Sequence, residues 1–278
     1  MIFDYIASRI EKFLNTWSPL RLRKKIRAIN KEKEFHAFSV RQMIAQRARL
    51  FELIELIGRL SKFEDGGSVE PVANQVRKTE SQFYQDILGL LLARGKKGGY
   101  FVEFGACDGV RISNTYVLEK SFGWTGILAE PGREWHEGLK KNRSCHLETM
   151  CVWSRSGEKI PFYEADQNQL QSSAEADHMH IDREALYQVE TISLYDMLKK
   201  YNAPQFIDFM SIDVEGSEFK ILENFPFDSY RFGLMCVEHH LPQEEERIKN
   251  LMDRNGYKQV FRSVSDFDGW YVPKSVAV

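Results

Sequence analysis

Residues 101–109 read Phe101-Val102-Glu103-Phe104-Gly105-Ala106-Cys107-Asp108-Gly109. An apolar run carrying one acid and ending in a glycine-containing turn is the pattern of a buried strand that runs into a tight loop. In open α/β sheets the ligand crevice lies at the carboxyl ends of the strands, so this loop is where a nucleotide-like ligand would sit. Working outward, short apolar runs recur at Thr125 to Glu130, His146 to Trp153, Phe206 to Asp213 and Phe232 to Glu238, then near 257–262 and 268–273. Helix-length segments lie between them, and helices are predicted at 80–93, 194–201 (capped by Ser193), 217–224 and 242–255. Such alternation predicts an α/β fold with a largely parallel sheet of seven strands. Ser265-Asp266-Phe267-Asp268 is short enough for a hairpin, which makes the last pair antiparallel, and Gln188 to Thr191 reads as a strand-like lead-in.

The chain has 278 residues, of which 43% are hydrophobic and 28% charged, the usage of an ordinary globular protein. It contains no apolar run of 18 or more residues, so a transmembrane helix is not expected. The first residues lack the pattern of a secretory signal, and a cytoplasmic location is expected. Cys107, Cys145, Cys151 and Cys236 show no CxxC spacing and read as reduced thiols. Charge is unevenly spread. Residues 1–50 hold 12 basic against 4 acidic side chains, a net of +8, and the remainder carries −10. Ile2, Phe3, Ile6, Ile10, Phe13, Leu14 and Trp17 have helical spacing, and Arg21, Arg23, Lys24, Lys25 and Arg27 follow them. Such a segment either packs on protein or lies on an anionic membrane surface. A second helix is predicted over 35–60, and 66–79 reads as a linker. The domain division is therefore 1–79, a helical region for oligomerisation or membrane-surface contact, and 80–278, the α/β domain.

The second strand ends in Glu130-Pro131. An acid 21 positions after Gly109 is placed to accept hydrogen bonds from a ribose diol. A dinucleotide fold would require GxGxxG after the first strand, and this chain has Gly-Ala-Cys-Asp-Gly. With Glu103 and Asp108 beside it, the loop suits a cationic ligand better than a diphosphate. The fourth strand ends in Asp213-Val214-Glu215-Gly216 and the fifth in Glu238-His239-His240. Asp213, Glu215 and His239 are the candidates for a base that takes a proton from a hydroxyl acceptor. A divalent cation, Mg²⁺ or Mn²⁺, is the other use of such residues, with Asp213, Glu238 and His239 as its ligands. His178 and His180 lie in a polar stretch, 165–184, which with Tyr163 and Trp270 is expected to cover the acceptor.

The blocks VEFGACDGVRISNTYVLEK, GWTGILAEP and FMSIDVEGSEFKILENF resemble the FkbM-type methyltransferases, over about residues 80–273. The resemblance implies a doubly wound, Rossmann-like methyltransferase sheet and S-adenosylmethionine as cofactor. It implies that Glu103, Gly105, Ala106, Asp108 and Gly109 surround the methionine part of the cofactor, with Asn114 and Thr115 reaching the same part. It implies Glu130 and Pro131 at the ribose, Val152 beside the adenine, and Asp213 at the methyl group. The expected activity is O-methylation of a sugar hydroxyl in a cell-surface glycan or lipid-linked saccharide. The expected setting is the inner membrane face, with no nucleic-acid partner and with homo-oligomer contacts through the N-terminal helices. The alternatives are a nicotinamide-dependent oxidoreductase and a catalytically silent scaffold with the same fold.

Overall fold

A computed structural model describes residues 70–164, 185–239, 241–262, 265 and 267–277. The amphipathic N-terminal segment, the basic cluster at 21–27, the helix predicted at 35–60, the stretch with His178 and His180, and His240 lie outside the described residues.

Strands β1 (Tyr100–Phe104), β2 (Thr125–Ala129) and β3 (His146–Glu148) open the chain's main sheet. Strands β7 (Phe206–Ile212), β8 (Arg231–Glu238), β9 (Tyr257–Val260) and β10 (Asp268–Pro273) complete it. The strand order is β3-β2-β1-β7-β8-β10-β9, parallel from β3 to β8 and antiparallel around β10. This is the doubly wound arrangement with an antiparallel end. The order reverses between β1 and β7, where a ligand crevice opens at the carboxyl edge.

The run 146–153, expected as one strand, divides in two. β3 stays in the main sheet, and β4 (Cys151–Trp153) joins a second sheet, of order β4-β6-β5, with β5 (Lys159–Glu164) and β6 (Ala185–Ser193). The break comes where the Met150 N–H turns back to Glu148 Oε1 at 3.0 Å. The lead-in expected at 188–191 is the interior of the nine-residue β6.

Helices cover both faces: α1 (Glu70–Ala73), α2 (Gln85–Leu92), α3 (Tyr116–Phe122) and α4 (His136–Asn142), then α5 (Leu194–Lys200), α6 (Glu218–Leu222) and α7 (Pro242–Arg254). Strand alternation decides which side each residue joins. Val102, Phe104, Ile127, Ala129, Met210 and Ile212 enter one core with Met197, Leu198 and Leu222. Each such side chain removed from water contributes about 1.5–3 kcal/mol. On the opposite face α2 approaches β7 so closely that a Cβ at Gly89 would stand 2.9 Å from the Phe209 ring. That second face carries, in lateral register, Glu103, Ser211, Cys236 and Trp270. It therefore becomes polar toward its carboxyl edge.

The predicted helix 80–93 is shorter, because Tyr84 adopts a left-handed conformation (φ 62°) immediately before α2. Thr79 and Ser81 donate hydroxyl hydrogen bonds to the buried Asp86, which fastens the preceding segment down. Ser193 caps α5 as expected, its Oγ accepting the Asp196 N–H at 3.1 Å. The four cysteines are free thiols.

Candidate functional site

The loop after β1 bends through two glycines for different reasons. Gly105 has φ 72°, and a Cβ there would stand 2.0 Å from the Asp213 carbonyl oxygen. The backbones leaving β1 and β7 thus meet where the order reverses. Gly109 has φ 78°, and a Cβ there would stand 2.6 Å from Arg143 Cγ. Its smallness makes room for a protein side chain.

Glu103 is buried, and its carboxylate organises the end of this loop. Oε1 accepts the Asn114 N–H at 2.6 Å, and Oε2 accepts Ser113 Oγ–H at 3.0 Å and the Thr115 hydroxyl. Burial raises its pKa, and the nearby Arg143 guanidinium and these hydrogen bonds oppose the rise. Thr115 also accepts from Arg143 Nη2 at 2.8 Å, so its side chain belongs to this buried network. Asn114 donates from Nδ2 to Ser211 Oγ at 2.9 Å, and its buried Oδ1 has no hydrogen-bond partner among the described residues. Asp108 turns its own loop, accepting the Val110 and Arg111 N–H groups at 2.9 and 2.8 Å.

Glu130 follows β2 on the same sheet face as Glu103. Its carboxylate is oriented by the Cys107 N–H at 3.0 Å and the Gly132 N–H at 2.8 Å. Glu130 thereby ties the two ligand-facing loops together. Pro131 is reached from the second sheet, its carbonyl accepting from Tyr187 Oη at 3.4 Å, and the Arg133 guanidinium lies 4.2 Å above the Tyr187 ring. Ala106 is buried beneath the loop, and Val152 packs in the main core.

The other half of the crevice is acidic. Carboxylate oxygens of Asp213, Glu215 and Glu238 lie within 4.8 Å of one another. The expected pairing of Asp213 with Glu215 is present, but not through strand alternation. β7 ends at Ile212, and Glu215 is swung in by a left-handed backbone (φ 59°) followed by Gly216 (φ 114°). A non-glycine residue in that conformation is strained and must be held by its surroundings. Glu218 holds it, its carboxylate accepting the Val214 and Gly216 N–H groups, each at 3.1 Å.

Burial, and then the charge of Glu215, pushes Asp213 up to about 7. Burial and the adjacent Asp213 carboxylate drive Glu238 up further, and a hydrogen bond joins the two side chains. Two carboxyls this close disfavour a second negative charge, so the pair takes up a proton more readily than two separate carboxyls would. Asp268 stands opposite Glu238 in register and also disfavours charge on Asp213. Its Oδ2 accepts Gln85 Nε2–H at 2.8 Å and Trp270 Nε1–H at 3.1 Å. Trp270, expected over the acceptor, is instead buried in β10 and bonded to Asp268.

His239 does not join this group, which corrects the expected base and metal set. It follows Glu238 with opposite parity, donates its N–H to the Phe267 carbonyl at 2.7 Å, and acts electrostatically on Glu245 of α7. Glu215 takes its place among the carboxylates. Oxygen donors this close suit a hard divalent cation. Sequence reading missed Arg143, Ser211, Glu218 and Asp268. Arg143 was hidden in the run Lys140-Lys141-Asn142-Arg143, which reads as a solvated helix end.

The FkbM methyltransferase domain matches residues 103–259 of this chain, more than half of its length. The chain belongs to the FkbM methyltransferase family. Membership implies S-adenosylmethionine as the methyl donor. The residues present fit that group: acids line the crevice that would receive its cationic part, and the buried Asn114 Oδ1 is an acceptor without a donor among the described residues. Among solved structures the chain is similar to an FkbM methyltransferase from Methylobacillus flagellatus KT, at 13% identity and TM-score 0.42, covering 81% of this chain and 60% of that one. It is also similar to a precorrin-6y C5,15-methyltransferase from Geobacter metallireducens GS-15, at 11% identity and TM-score 0.36, covering 63% of this chain and 71% of that one. A third is a SAM dependent methyltransferase from Aquifex aeolicus, at 13% identity and TM-score 0.34, covering 78% of this chain and 97% of that one. No curated protein matches.

Proposed function

We propose that this FkbM methyltransferase transfers the methyl group of S-adenosylmethionine to a hydroxyl of a saccharide. The observation that carries the reading is the hydrogen-bonded Asp213–Glu238 pair at the carboxyl edge of the sheet. When bound, the cofactor supplies an electrophilic methyl group on a cationic sulfur. Glu130 would accept from the ribose hydroxyls, and Asn114 Oδ1 would accept from the ammonium. A hydroxyl is a weak nucleophile until its proton leaves, so an acceptor of this kind requires a base. Asp213, held near 7, is ionised in a useful fraction at neutral pH and can take that proton as the new C–O bond forms. The negative charges of Glu215 and Asp268 would favour binding of the cationic cofactor, and they raise the proton affinity of Asp213.

A saccharide acceptor at a membrane face is supported by the basic, amphipathic sequence at residues 1–30. No helix among the described residues is long and apolar enough to cross a membrane. A second reading, a divalent cation that lowers the acceptor's pKa, is favoured by the mutual closeness of the Asp213, Glu215 and Glu238 oxygens.

The test is thermal unfolding with S-adenosylhomocysteine, S-adenosylmethionine or NADH, each with Mg²⁺ or EDTA. It is followed by radiolabelled methyl transfer to a panel of saccharides. A ligand at 100 times its Kd stabilises by about 2.7 kcal/mol. A shift with the sulfur ligands and label in a saccharide, both insensitive to EDTA, is expected. A shift with NADH alone would favour an oxidoreductase, no shift at all a silent scaffold, and loss of transfer in EDTA the metal reading. Binding to anionic vesicles that disappears on deleting residues 1–30 checks the membrane setting.

A further inference from the structure

Arg143 follows α4 and its side chain is wholly buried. A buried guanidinium is costly unless its donors and its charge are met. Here they are met by four residues of the loop after β1 and the helix α3 that it leads into. Nε donates to Glu119 Oε2 on α3 at 2.7 Å. Nη1 donates to the Gly109 carbonyl at 2.9 Å and to Ser113 Oγ at 3.1 Å, and Nη2 donates to Thr115 Oγ1 at 2.8 Å. The Ser113 and Thr115 hydroxyls in turn donate to Glu103 Oε2, which stands 3.8 Å from the guanidinium. The same cation holds Glu119 down to about 2, against the effect of burial.

We propose that Arg143 is a positioning residue for cofactor binding: through Ser113 and Thr115 it orients the Glu103 carboxylate, and through Gly109 it fixes the loop 105–115 in its receiving shape. The inference rests on the methyltransferase reading. Only a planar fork can serve these four residues at once, and a lysine in this position is a point charge that cannot. The absence of a Cβ at Gly109 is part of the same device, since it admits the Arg143 stem. Asn114 is delivered to the crevice by it too, because its N–H is held on Glu103 Oε1.

A merely structural arginine and a positioning arginine differ in one readout. The groups that face Glu103 are Arg143, the donors of residues 113–115, Asp86 on α2, and the thiols of Cys107 and Cys145. Arg143 is the cation among them, so without it Glu103 takes up a proton more readily. The experiment is binding of S-adenosylhomocysteine to full-length wild type, R143Q and T115V by calorimetry between about pH 6 and 8, with unfolding temperatures recorded alongside. R143Q is expected to weaken binding about tenfold or more, the scale of losing charge-assisted hydrogen bonds. Its affinity should fall more steeply than that of the wild type as the pH is lowered, the titration of Asp213 being common to both. T115V keeps the guanidinium and the side-chain shape, so it answers the question if R143Q fails to fold; a severalfold loss is expected. Wild-type binding with equal affinity in a folded variant, or a loss in R143Q that does not vary with pH, overturns the inference alone. A wild type that binds no S-adenosylhomocysteine overturns the methyltransferase reading and the inference with it.

Discussion

The two halves of the crevice are both built on carboxylates, buried beside β1 and half-buried beside β7 and β8, and they treat them in opposite ways. Beside β1, Glu103 receives three hydrogen bonds and an arginine 3.8 Å away. Beside β7 and β8, Asp213, Glu215 and Glu238 are crowded together, and the charges of Glu215, Asp268 and Glu218 all raise the Asp213 pKa. The first arrangement backs a permanent charge, that of Arg143, against the cost of burying Glu103 and makes a loop rigid. The second makes a charge conditional, so that a proton can arrive and leave near neutral pH. Binding a cofactor of constant charge calls for the first, and taking a proton from an acceptor calls for the second.

The largest expected effect breaks the second half alone. D213N should lower methyl transfer by about 10²–10⁴-fold, the usual worth of a general base. The unfolding temperature should not fall, because a crowded charge has been removed. Radiolabelled transfer to the saccharide acceptor and a thermal scan on the same preparation check both parts. A variant that loses stability along with activity would mean that Asp213 is a structural residue.

G105A attacks the seam between the halves. The added Cβ would meet the Asp213 carbonyl at 2.0 Å in a left-handed backbone conformation. The expected loss is about 2–4 kcal/mol of folding stability, combining overpacking with the conformational penalty. Urea unfolding measures it, and a loss below about 1 kcal/mol would show that the two loops can part freely.

E130A returns to the permanent side. It should weaken S-adenosylhomocysteine binding by about 1–3 kcal/mol, since ribose hydroxyls would be buried without their acceptor. Calorimetry would show this as a higher Kd, and an unchanged Kd would leave Glu130 with only its loop-tying role.

The pH dependence of stability sharpens the contrast further. Asp213 titrates near 7 in the fold, raised from 3.8, so the folded state binds more protons than the unfolded one between those values. Stability of the ligand-free protein should therefore fall as pH rises from about 4 through 7, by about 1–3 kcal/mol in all. In D213N that slope should shrink. Glu119 works in the other direction: held near 2, it contributes stability present above its usual range and lost as the pH falls below it. Thermal scans from pH 3 to 8 separate the two, and a flat profile across pH 4–7 in the wild type would remove the raised Asp213 pKa from the argument.

The strands of the main sheet could be anticipated because each is an apolar run closed by polar or glycine residues, a local signal, and their order could not. What was hidden is what depends on tertiary partners. Thr149-Met150 does not interrupt the apolar run from His146 to Trp153, so nothing local says that β4 leaves for another sheet. At the site, Glu130, Asp213 and Glu238 were readable because strand ends collect at one edge. His239 was misplaced because side chains alternate, and its parity puts it with α7. Gly109 was taken for a cofactor contact, whereas its φ and its closeness to Arg143 tie it to a side chain 34 residues later, which no spacing rule could supply.

The smallest expected effect calibrates the rest. Ser193 lies in neither half. It accepts the Asp196 N–H at the start of α5, and Asp196 and Ser156 bond around it. S193A should cost about 1 kcal/mol, the usual value of an N-cap, and lower the unfolding temperature by roughly 2–4 °C for a domain of this size. α5 leads from β6 in the second sheet to β7 in the first, so the loss is felt by the fold that carries both halves without touching either. Cofactor affinity and the pH slope should therefore stay those of the wild type. If S193A alters the Kd for S-adenosylhomocysteine as much as E130A does, general loosening reaches the crevice, and changes at Glu130 can no longer be read as the loss of a contact.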